Sequence, residues 1–267
     1  MNRVNPAVEN RDIIVEGIKC RVLTRYRSDS NDLVVFFPGL ACIKESFVQV
    51  FEHQAFEHAS LLLIDLIGFG DSAKPDNFTY RMEDQARICE GVIEKFPAGR
   101  IHLVAHSMGG AVALLLSDEL IKKAVSFANL EGNLSGDDCA MISRPTISQS
   151  FEEYTSSGFD DQAYIFNRCE IMDFNKTRPF VMYTSAKSLV EWSESSALLE
   201  KFVKLKCKKA YFYGEYNKDM RVLQQLGEVP KIMIEQSGHL MMVENPDVFY
   251  GKLAEFFFAK GRGSFIT

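Results

Sequence analysis

Short apolar runs constrain the fold of this chain more than any other feature. Runs of this length and composition are typical of strands buried on both faces of a parallel sheet. They are LVVFF (33–37), SLLLID (60–65), IHLVAHS (101–107), KAVSFANLE (123–131), KAYFYG (209–214) and KIMIEQS (231–237). Ahead of them, residues 12–26 alternate polar and apolar side chains around Gly17, which predicts an antiparallel hairpin.

Helical segments separate most of these runs. Residues 79–96 place apolar side chains on one face, with Thr79 as the predicted N-cap, and residues 247–259 show the same pattern. Because strands alternate with helices, we predict an α/β fold with a doubly wound, mostly parallel, eight-stranded sheet flanked by helices. Ligands of such sheets bind at the carboxyl ends of the strands.

One interval, residues 133–205, contains no convincing strand but carries aromatic residues at helical spacing. We predict a helical cap insertion there, with the core domain formed by residues 1–132 and 206–267. The aromatic residues either pack the core of this insertion or line a pocket beneath it. They are Tyr154, Tyr164, Phe166, Phe174, Phe180, Tyr183 and Trp192.

Composition narrows the functional classes. A net charge of −6 disfavours a nucleic-acid surface, and the basic run at 201–209 is interpreted as a solvated helix end.

No apolar segment is long enough to span a membrane, and the first residues do not resemble a signal peptide. Six scattered cysteines favour free thiols in a cytoplasmic protein, and five histidines without ligand spacing predict neither metal nor cofactor. Oligomeric state leaves no trace in the sequence.

The segment AHSMGG (105–110) joins an apolar run to an apolar helix predicted to start around Ala111. Small residues two places before and after Ser107 suit a sharp strand-to-helix turn that exposes the serine hydroxyl. The N–H groups at the start of the helix could then stabilise a developing oxyanion. This pattern favours Ser107 as a nucleophile.

Four motifs in order resemble the α/β-hydrolase superfamily, over almost the whole chain. AHSMGG resembles its nucleophile turn, with alanine at 105 where glycine is usual, and FFPGL (36–40) resembles its oxyanion loop. DLIGFGDS (65–72) and Gly238-His239 followed by ENP (244–246) resemble two further family segments. The resemblance implies His239 as general base and backbone N–H groups of Leu40 and Met108 as the oxyanion hole.

Several residues could supply the acid of the catalytic triad. The commonest family position is an aspartate in a turn that reads GEYN (214–217) here, so the neutral Asn217 stands in its place. Some dehalogenases and a luciferase-like branch supply the acid from the strand before the cap, and Glu131 ends that strand here. Glu131 is the preferred acid; Asp219, Asp138 and Asp137 remain alternatives. We expect Glu131→Gln to lower turnover by orders of magnitude and Asn217→Ala to be mild.

The other histidines compete poorly as the base. His53 and His58 lie in a predicted surface helix, and His102 lies inside a predicted strand. Strand alternation predicts that the side chain of His106 points away from Ser107.

These residues predict a serine hydrolase acting on a small-molecule carboxylic ester or thioester through an acyl-enzyme formed by Ser107, His239 and Glu131. Dehalogenase and epoxide hydrolase chemistry is disfavoured, because those relatives carry aspartate at the position of Ser107. A carbon–carbon bond hydrolase or lyase using the same serine and histidine stays open. A weak or inactive ligand-binding sensor on this scaffold also stays open, because Asn217 could mark decay of the triad.

Overall fold

A computed structural model describes residues 6–167 and 171–259 of the chain. Its centre is an eight-stranded sheet with strand order β1-β2-β4-β3-β5-β6-β7-β8. Strands β1 and β2 form an antiparallel hairpin that pairs with β4, and every pairing from β4 to β8 is parallel. The strands are β1 Glu9–Val15, β2 Ile18–Arg25, β3 Asp32–Phe37, β4 Ser60–Ile64, β5 Arg100–His106, β6 Ala124–Leu130, β7 Lys208–Gly214 and β8 Lys231–Ile234.

Helices cover both faces of the sheet and connect its parallel strands. The α-helices are α1 Met82–Ile93, α2 Met108–Leu114, α3 Asp118–Lys123, α4 Ser143–Ile147, α5 Phe151–Glu153, α6 Phe159–Phe166, α7 Pro179–Glu194, α8 Ala197–Lys204, α9 Val222–Gln225, α10 Met241–Glu244 and α11 Pro246–Phe258. Shorter 3-10 turns include Lys44–Phe51, Gln54–Phe56, Gly136–Cys139, Phe174–Lys176 and Glu215–Asn217, and a π-helical turn, Tyr154–Gly158, joins α5 to α6.

The predicted fold class and hairpin are confirmed. All residues of β4 are buried, as are all of β3 after Asp32, which explains why these strands read as continuous apolar runs. Each such side chain contributes about 1.5–3 kcal/mol by its removal from water.

Two helix starts differ from the prediction. Helix α1 begins at Met82 rather than near Thr79, because Tyr80 has a positive φ of 55°, which is incompatible with a helix; the Thr79 hydroxyl accepts from the Arg81 N–H at 3.2 Å and donates to the Asp84 carboxylate. Helix α2 begins at Met108 rather than around Ala111, so the turn between β5 and α2 is a single residue, Ser107.

Between β6 and β7, the described residues form helices α4 to α8 and connecting turns, with one isolated bridge from Met172 to Cys42. Helix α7 packs against the core, where the Ser188 hydroxyl accepts a hydrogen bond of 3.1 Å from the N–H of Met82. The division of the chain into a core at 1–132 and 206–267 and a cap at 133–205 stays a prediction.

None of the helices in residues 6–167 and 171–259 has both the length and the apolar character needed to cross a membrane. The cysteines of the described segments form no disulfide with one another and four of them are buried, whereas Cys169 lies outside those segments. Lys201 and Lys204 fall in the last turn of α8, in keeping with the predicted helix end.

Candidate active site

Ser107 occupies the tight turn between β5 and α2. Its backbone has φ +49° and ψ −122°, a conformation that is strained for a residue with a side chain. Two glycines make this turn possible: a Cβ on Gly109 would lie 2.4 Å from the Phe37 carbonyl oxygen, and one on Gly110 would lie 2.8 Å from the Gly132 Cα. The serine is thereby held at the carboxyl edge of the sheet, half-buried at the wall of a cavity.

The two residues expected to form an oxyanion hole lie next to this turn. Leu40 follows β3, is buried, and lines the same cavity as Ser107. Met108 is the first residue of α2, and the first N–H groups of a helix have no partner within the helix. Close approach is required here too, because a Cβ on Gly39 would lie 3.1 Å from the Cβ of Ser107.

A buried ion pair holds the loop that carries Leu40. The Asp65 carboxylate accepts from the Lys44 backbone N–H at 2.7 Å and from the Lys44 ammonium at 2.9 Å, and both side chains are almost fully buried. Burial lowers the pKa of Lys44, but the neighbouring Asp65 and Glu45 carboxylates outweigh it and hold that pKa above its ordinary value. Lys44 therefore stays charged and fixes the end of the loop.

His239 lies in the loop between β8 and α10, with its side chain 22% exposed. Its Nδ1 is 2.8 Å from Oε2 of Glu131, and a neutral ring that donates its Nδ1–H to this carboxylate oxygen has Nε2 as a hydrogen-bond acceptor. The Glu244 carboxylate supports the same loop by accepting from the N–H of Gly238.

Glu131 follows β6 directly and has a positive φ of 41°, and its side chain is 1% exposed. Besides His239, two donors from the end of β7 contact its carboxylate. The N–H of Gly214 donates to Oε1 at 2.9 Å, and Nδ2 of Asn217 lies 3.0 Å from Oε1 and 2.9 Å from Oε2. These donors satisfy a buried charge that would otherwise be costly.

The alternative acids have other partners or surroundings. Asp138 lines the cavity, but its Oδ2 atom accepts hydrogen bonds from the N–H groups of Leu134 and Ser135 at 2.9 and 2.8 Å. Burial raises the pKa of the Asp138 carboxyl group. Asp219 is exposed on the turn after β7. The third candidate, Asp137, is 58% exposed and lies 3.5 Å from a guanidinium nitrogen of Arg221.

His106, whose side chain strand alternation predicts to point away from Ser107, packs its ring against His239. The two ring centroids lie 4.6 Å apart, and His106 is also among the residues that line the cavity. Its orientation relative to Ser107 stays a prediction.

His106 acts as a neutral support for His239. Burial and the neighbouring His239 hold the pKa of His106 well below its ordinary value of 6.5, so the ring is uncharged. Its Nε2 lies 3.0 Å from the carbonyl oxygen of His239, to which the neutral ring donates from that nitrogen.

The remaining histidines have structural surroundings. His102 lies in β5 and hydrogen-bonds Ser126 and Asp32. His53 precedes the turn Gln54–Phe56 and packs its ring against Phe56, whereas His58 is exposed.

The cavity beside these residues has a volume of about 590 Å³, and Ser107, His239 and Glu131 are among its lining residues. The segment between β6 and β7 contributes the carboxylates Asp137 and Asp138 to the lining, together with apolar residues that we call the apolar wall. The apolar wall comprises Met141, Ile142, Ile165, Phe166, Met172 and Leu189. Phe166 is thus an aromatic residue of this segment that lines the pocket, whereas Tyr154 and Phe174 are buried in the core and Tyr164 is exposed.

Within the two described segments, the acidic, cysteine and histidine side chains form no cluster of three or more that could hold a metal ion.

Several contacts that support the site were not predicted from the sequence. They include the contact of His106 with His239, the contact of Asn217 with Glu131, and the apolar wall of the cavity. Glu244 belongs to the ENP motif (244–246), but its contact with Gly238 forms only in the folded loop.

Comparison with known proteins identifies the fold. A family model of the alpha/beta hydrolase fold matches residues 32–163. The solved structure of the haloalkane dehalogenase DatA from Agrobacterium tumefaciens C58 superposes with a TM-score of 0.73 at 16% identity, covering 93% of this chain and 96% of that one. Together with the sheet order, these findings define an α/β-hydrolase fold. Residues 32–163 are thus similar to the alpha/beta hydrolase family, and the chain has the α/β-hydrolase fold.

Two curated relatives share part of the sequence. "Probable lysophospholipase BODYGUARD 4" of Arabidopsis thaliana is 36% identical over 110 residues, which are 40% of this chain and 26% of that protein. Lipase 3 of Moraxella sp. (strain TA144) is 30% identical over 155 residues, which are 58% of this chain and 45% of that protein. The chain therefore spans less than half the length of either relative.

Proposed function

We propose that this protein is a serine hydrolase that cleaves a carboxylic ester or thioester through a covalent acyl-enzyme, with Ser107, His239 and Glu131 as its catalytic triad. The contact of 2.8 Å between His239 Nδ1 and Glu131 Oε2, at the wall of the cavity that Ser107 lines, is the observation that carries this proposal. It leaves the second imidazole nitrogen free to take a proton from a nucleophile.

In the first half of the reaction, the Ser107 oxygen attacks the acyl carbon while His239 accepts the hydroxyl proton. Glu131 stabilises the resulting imidazolium without taking the proton itself. Negative charge develops on the former carbonyl oxygen, where the N–H groups of Leu40 and Met108 would stabilise it. Collapse of this intermediate breaks the bond to the alcohol or thiol, which leaves with the proton from His239.

In the second half, a water molecule replaces the leaving group. His239 accepts a proton from this water as its oxygen attacks the acyl ester on Ser107. Collapse of the second tetrahedral intermediate releases the carboxylic acid and returns the proton to Ser107. Glu131 has the same role in both halves, and no cofactor takes part.

The apolar wall of the cavity favours an apolar acyl chain. Met141, Ile142, Phe166 and Leu189 would surround such a chain, and each methylene removed from water contributes about 0.8 kcal/mol. The names of the two curated relatives, a probable lysophospholipase and a lipase, are consistent with this choice.

A panel of p-nitrophenyl esters tests the proposal, with acetyl, butyryl, octanoyl and palmitoyl chains and the matching thioesters. We expect hydrolysis by the wild type to be faster for the longer chains that the cavity accommodates, and to be lost in Ser107→Ala. The control Ser157→Ala alters an exposed serine and should retain wild-type rates. A wild type that is inactive on the whole panel, or a Ser107→Ala variant that stays active, would overturn the proposal.

A further inference from the structure

Asn217 lies in the turn after β7, at the position where the resemblance leads one to expect the triad acid. Its side chain contacts Glu131, the proposed acid, which follows β6. Its Nδ2 lies 3.0 and 2.9 Å from the two carboxylate oxygens of Glu131. Strands β6 and β7 pair in parallel, with Leu130 opposite Phe212, so Glu131 and the turn after β7 emerge side by side at one edge of the sheet.

We propose that Asn217 is a positioning residue: its amide holds the Glu131 carboxylate in the orientation in which Oε2 faces His239. This inference rests on the proposed function, since it assigns Asn217 a role through the triad acid. It replaces the interpretation that Asn217 marks a decayed triad. This role also predicts a larger loss of activity for Asn217→Ala than the mild loss expected from the sequence.

The chemistry of the amide suits this role. An ionised carboxylate can only accept hydrogen bonds, and the Asn217 amide nitrogen can only donate them, so their relative orientation is unambiguous. A lysine or arginine at this position would bring a positive charge that competes with the imidazolium for Glu131. The neutral amide orients the carboxylate and leaves its charge available to His239.

The turn that carries Asn217 is itself tied to the loop that carries His239. The N–H of Tyr216 donates to the carbonyl oxygen of Ser237 at 3.0 Å, and the Glu215 carboxylate accepts from the N–H of Gln236 at 2.9 Å. Asn217 therefore has a fixed position relative to both partners of the hydrogen bond that it supports. Such a fixed donor restricts rotation of the Glu131 carboxylate more than a mobile water would.

A double-mutant cycle tests whether Asn217 acts through Glu131. We expect Asn217→Ala to lower kcat/KM for the preferred ester about tenfold, which is the effect of losing one hydrogen bond to a charged group. Glu131→Gln should cost far more, and the double variant should be no slower than Glu131→Gln alone, because the group that Asn217 positions is already disabled. Lys218→Ala, an exposed change in the same turn, is the matched control and should retain wild-type kinetics.

Asn217→Asp provides a second readout and keeps the shape of the side chain. It replaces a donor with a second carboxylate facing Glu131, so we expect a larger loss than for Asn217→Ala. The added negative charge favours the imidazolium of His239, so the acid limb of the pH profile of kcat/KM should move to higher pH. A merely structural role in the turn would lower the melting temperature and scale the rate equally at all pH values.

The failure of this inference can be told apart from failure of the proposed function. If the wild type hydrolyses esters through Ser107 but Asn217→Ala equals the wild type, the positioning role is wrong and the triad stands. Losses of Asn217→Ala and Glu131→Gln that multiply in the double variant, or an Asn217→Asp profile with an unmoved acid limb, would also overturn it. If Ser107→Ala does not abolish hydrolysis, the proposed function fails first.

Discussion

The ends of β6 and β7 lie side by side but contribute opposite chemistry to the surroundings of His239. β6 is followed directly by Glu131, a buried carboxylate, whereas the end of β7 and the turn after it supply neutral donors, the N–H of Gly214 and the amide of Asn217. All of these groups meet at one carboxylate. In the proposed triad, the acid comes from the end of β6, and the donors that hold it come from β7 and the turn after it.

Removing the charge at β6 should have the largest effect. We expect Glu131→Gln to lower kcat by about 10⁴-fold, the order found when a triad loses its carboxylate. In either orientation of the new amide, its NH₂ group would face a donor, the Gly214 N–H on one side or His239 on the other. Steady-state ester hydrolysis provides the measurement.

The neutral end of β7 supplies the control for that change. Asp219→Asn alters an exposed carboxylate of the β7 turn and should change kcat little. Should Asp219→Asn abolish activity while Glu131→Gln does not, the acid would come from β7 and the assignment to β6 would be wrong.

A smaller effect is expected from crowding the end of β7. A Cβ on Gly214 would lie 2.3 Å from the carbonyl oxygen of Gly238, next to His239, and backbone cannot move aside as a flexible side chain can. Gly214→Ala should therefore displace the histidine loop and lower kcat/KM by about a hundredfold. It should also reduce the free energy of unfolding by about 1–3 kcal/mol, measured by urea denaturation.

Gly251→Ala is the matched control for this prediction. Gly251 lies within α11, and nothing lies within 4 Å of a Cβ added there. The change should leave kinetics unaltered and stabilise the protein by about 0.5–1 kcal/mol, because alanine is favoured over glycine in helices. Equal losses for the two alanine variants would mean that the contact between Gly214 and Gly238 has no special role.

The smallest effect concerns the neutral group at the end of β5, His106. Burial holds its pKa in the folded protein well below the 6.5 of the free side chain. The unfolded chain therefore takes up a proton as the pH falls below 6.5 while the folded protein does not, so this histidine lowers the free energy of unfolding toward acid pH. The limiting slope is about 1.4 kcal/mol per pH unit.

His106→Gln removes this proton uptake and keeps an N–H donor for the His239 carbonyl oxygen. Between pH 7 and pH 5, the free energy of unfolding should fall more steeply for the wild type than for the variant. His58→Gln, a change at the exposed surface, should follow the wild type. If wild type and His106→Gln lose stability in parallel, His106 is not the buried neutral group described above.

Much of the fold could be predicted from the sequence because parallel strands are buried on both faces and so form continuous apolar runs. The runs at 33–37, 101–107 and 209–214 all correspond to strands of the sheet. Helix starts were harder to predict, since the positive φ of Tyr80, which delays the start of α1 after Thr79, has no signal in the local sequence.

For the site, residues in local motifs could be predicted, whereas contacts between distant parts of the chain could not. Ser107 and His239 stand in local motifs whose residues are close in the sequence. In contrast, Asn217 contacts a carboxylate 86 residues away, and that contact depends on the pairing of β6 with β7. The sequence shows that Asn217 departs from the family pattern, but only the structure shows that its side chain contacts Glu131.

Labelling with a fluorophosphonate probe, followed by peptide mapping, tests the central claim most directly. The account predicts a single modification at Ser107, formed rapidly in the wild type, strongly slowed in Glu131→Gln, and lost in His239→Ala. An unlabelled protein, or a probe attached to a different serine at the wild-type rate, would contradict it.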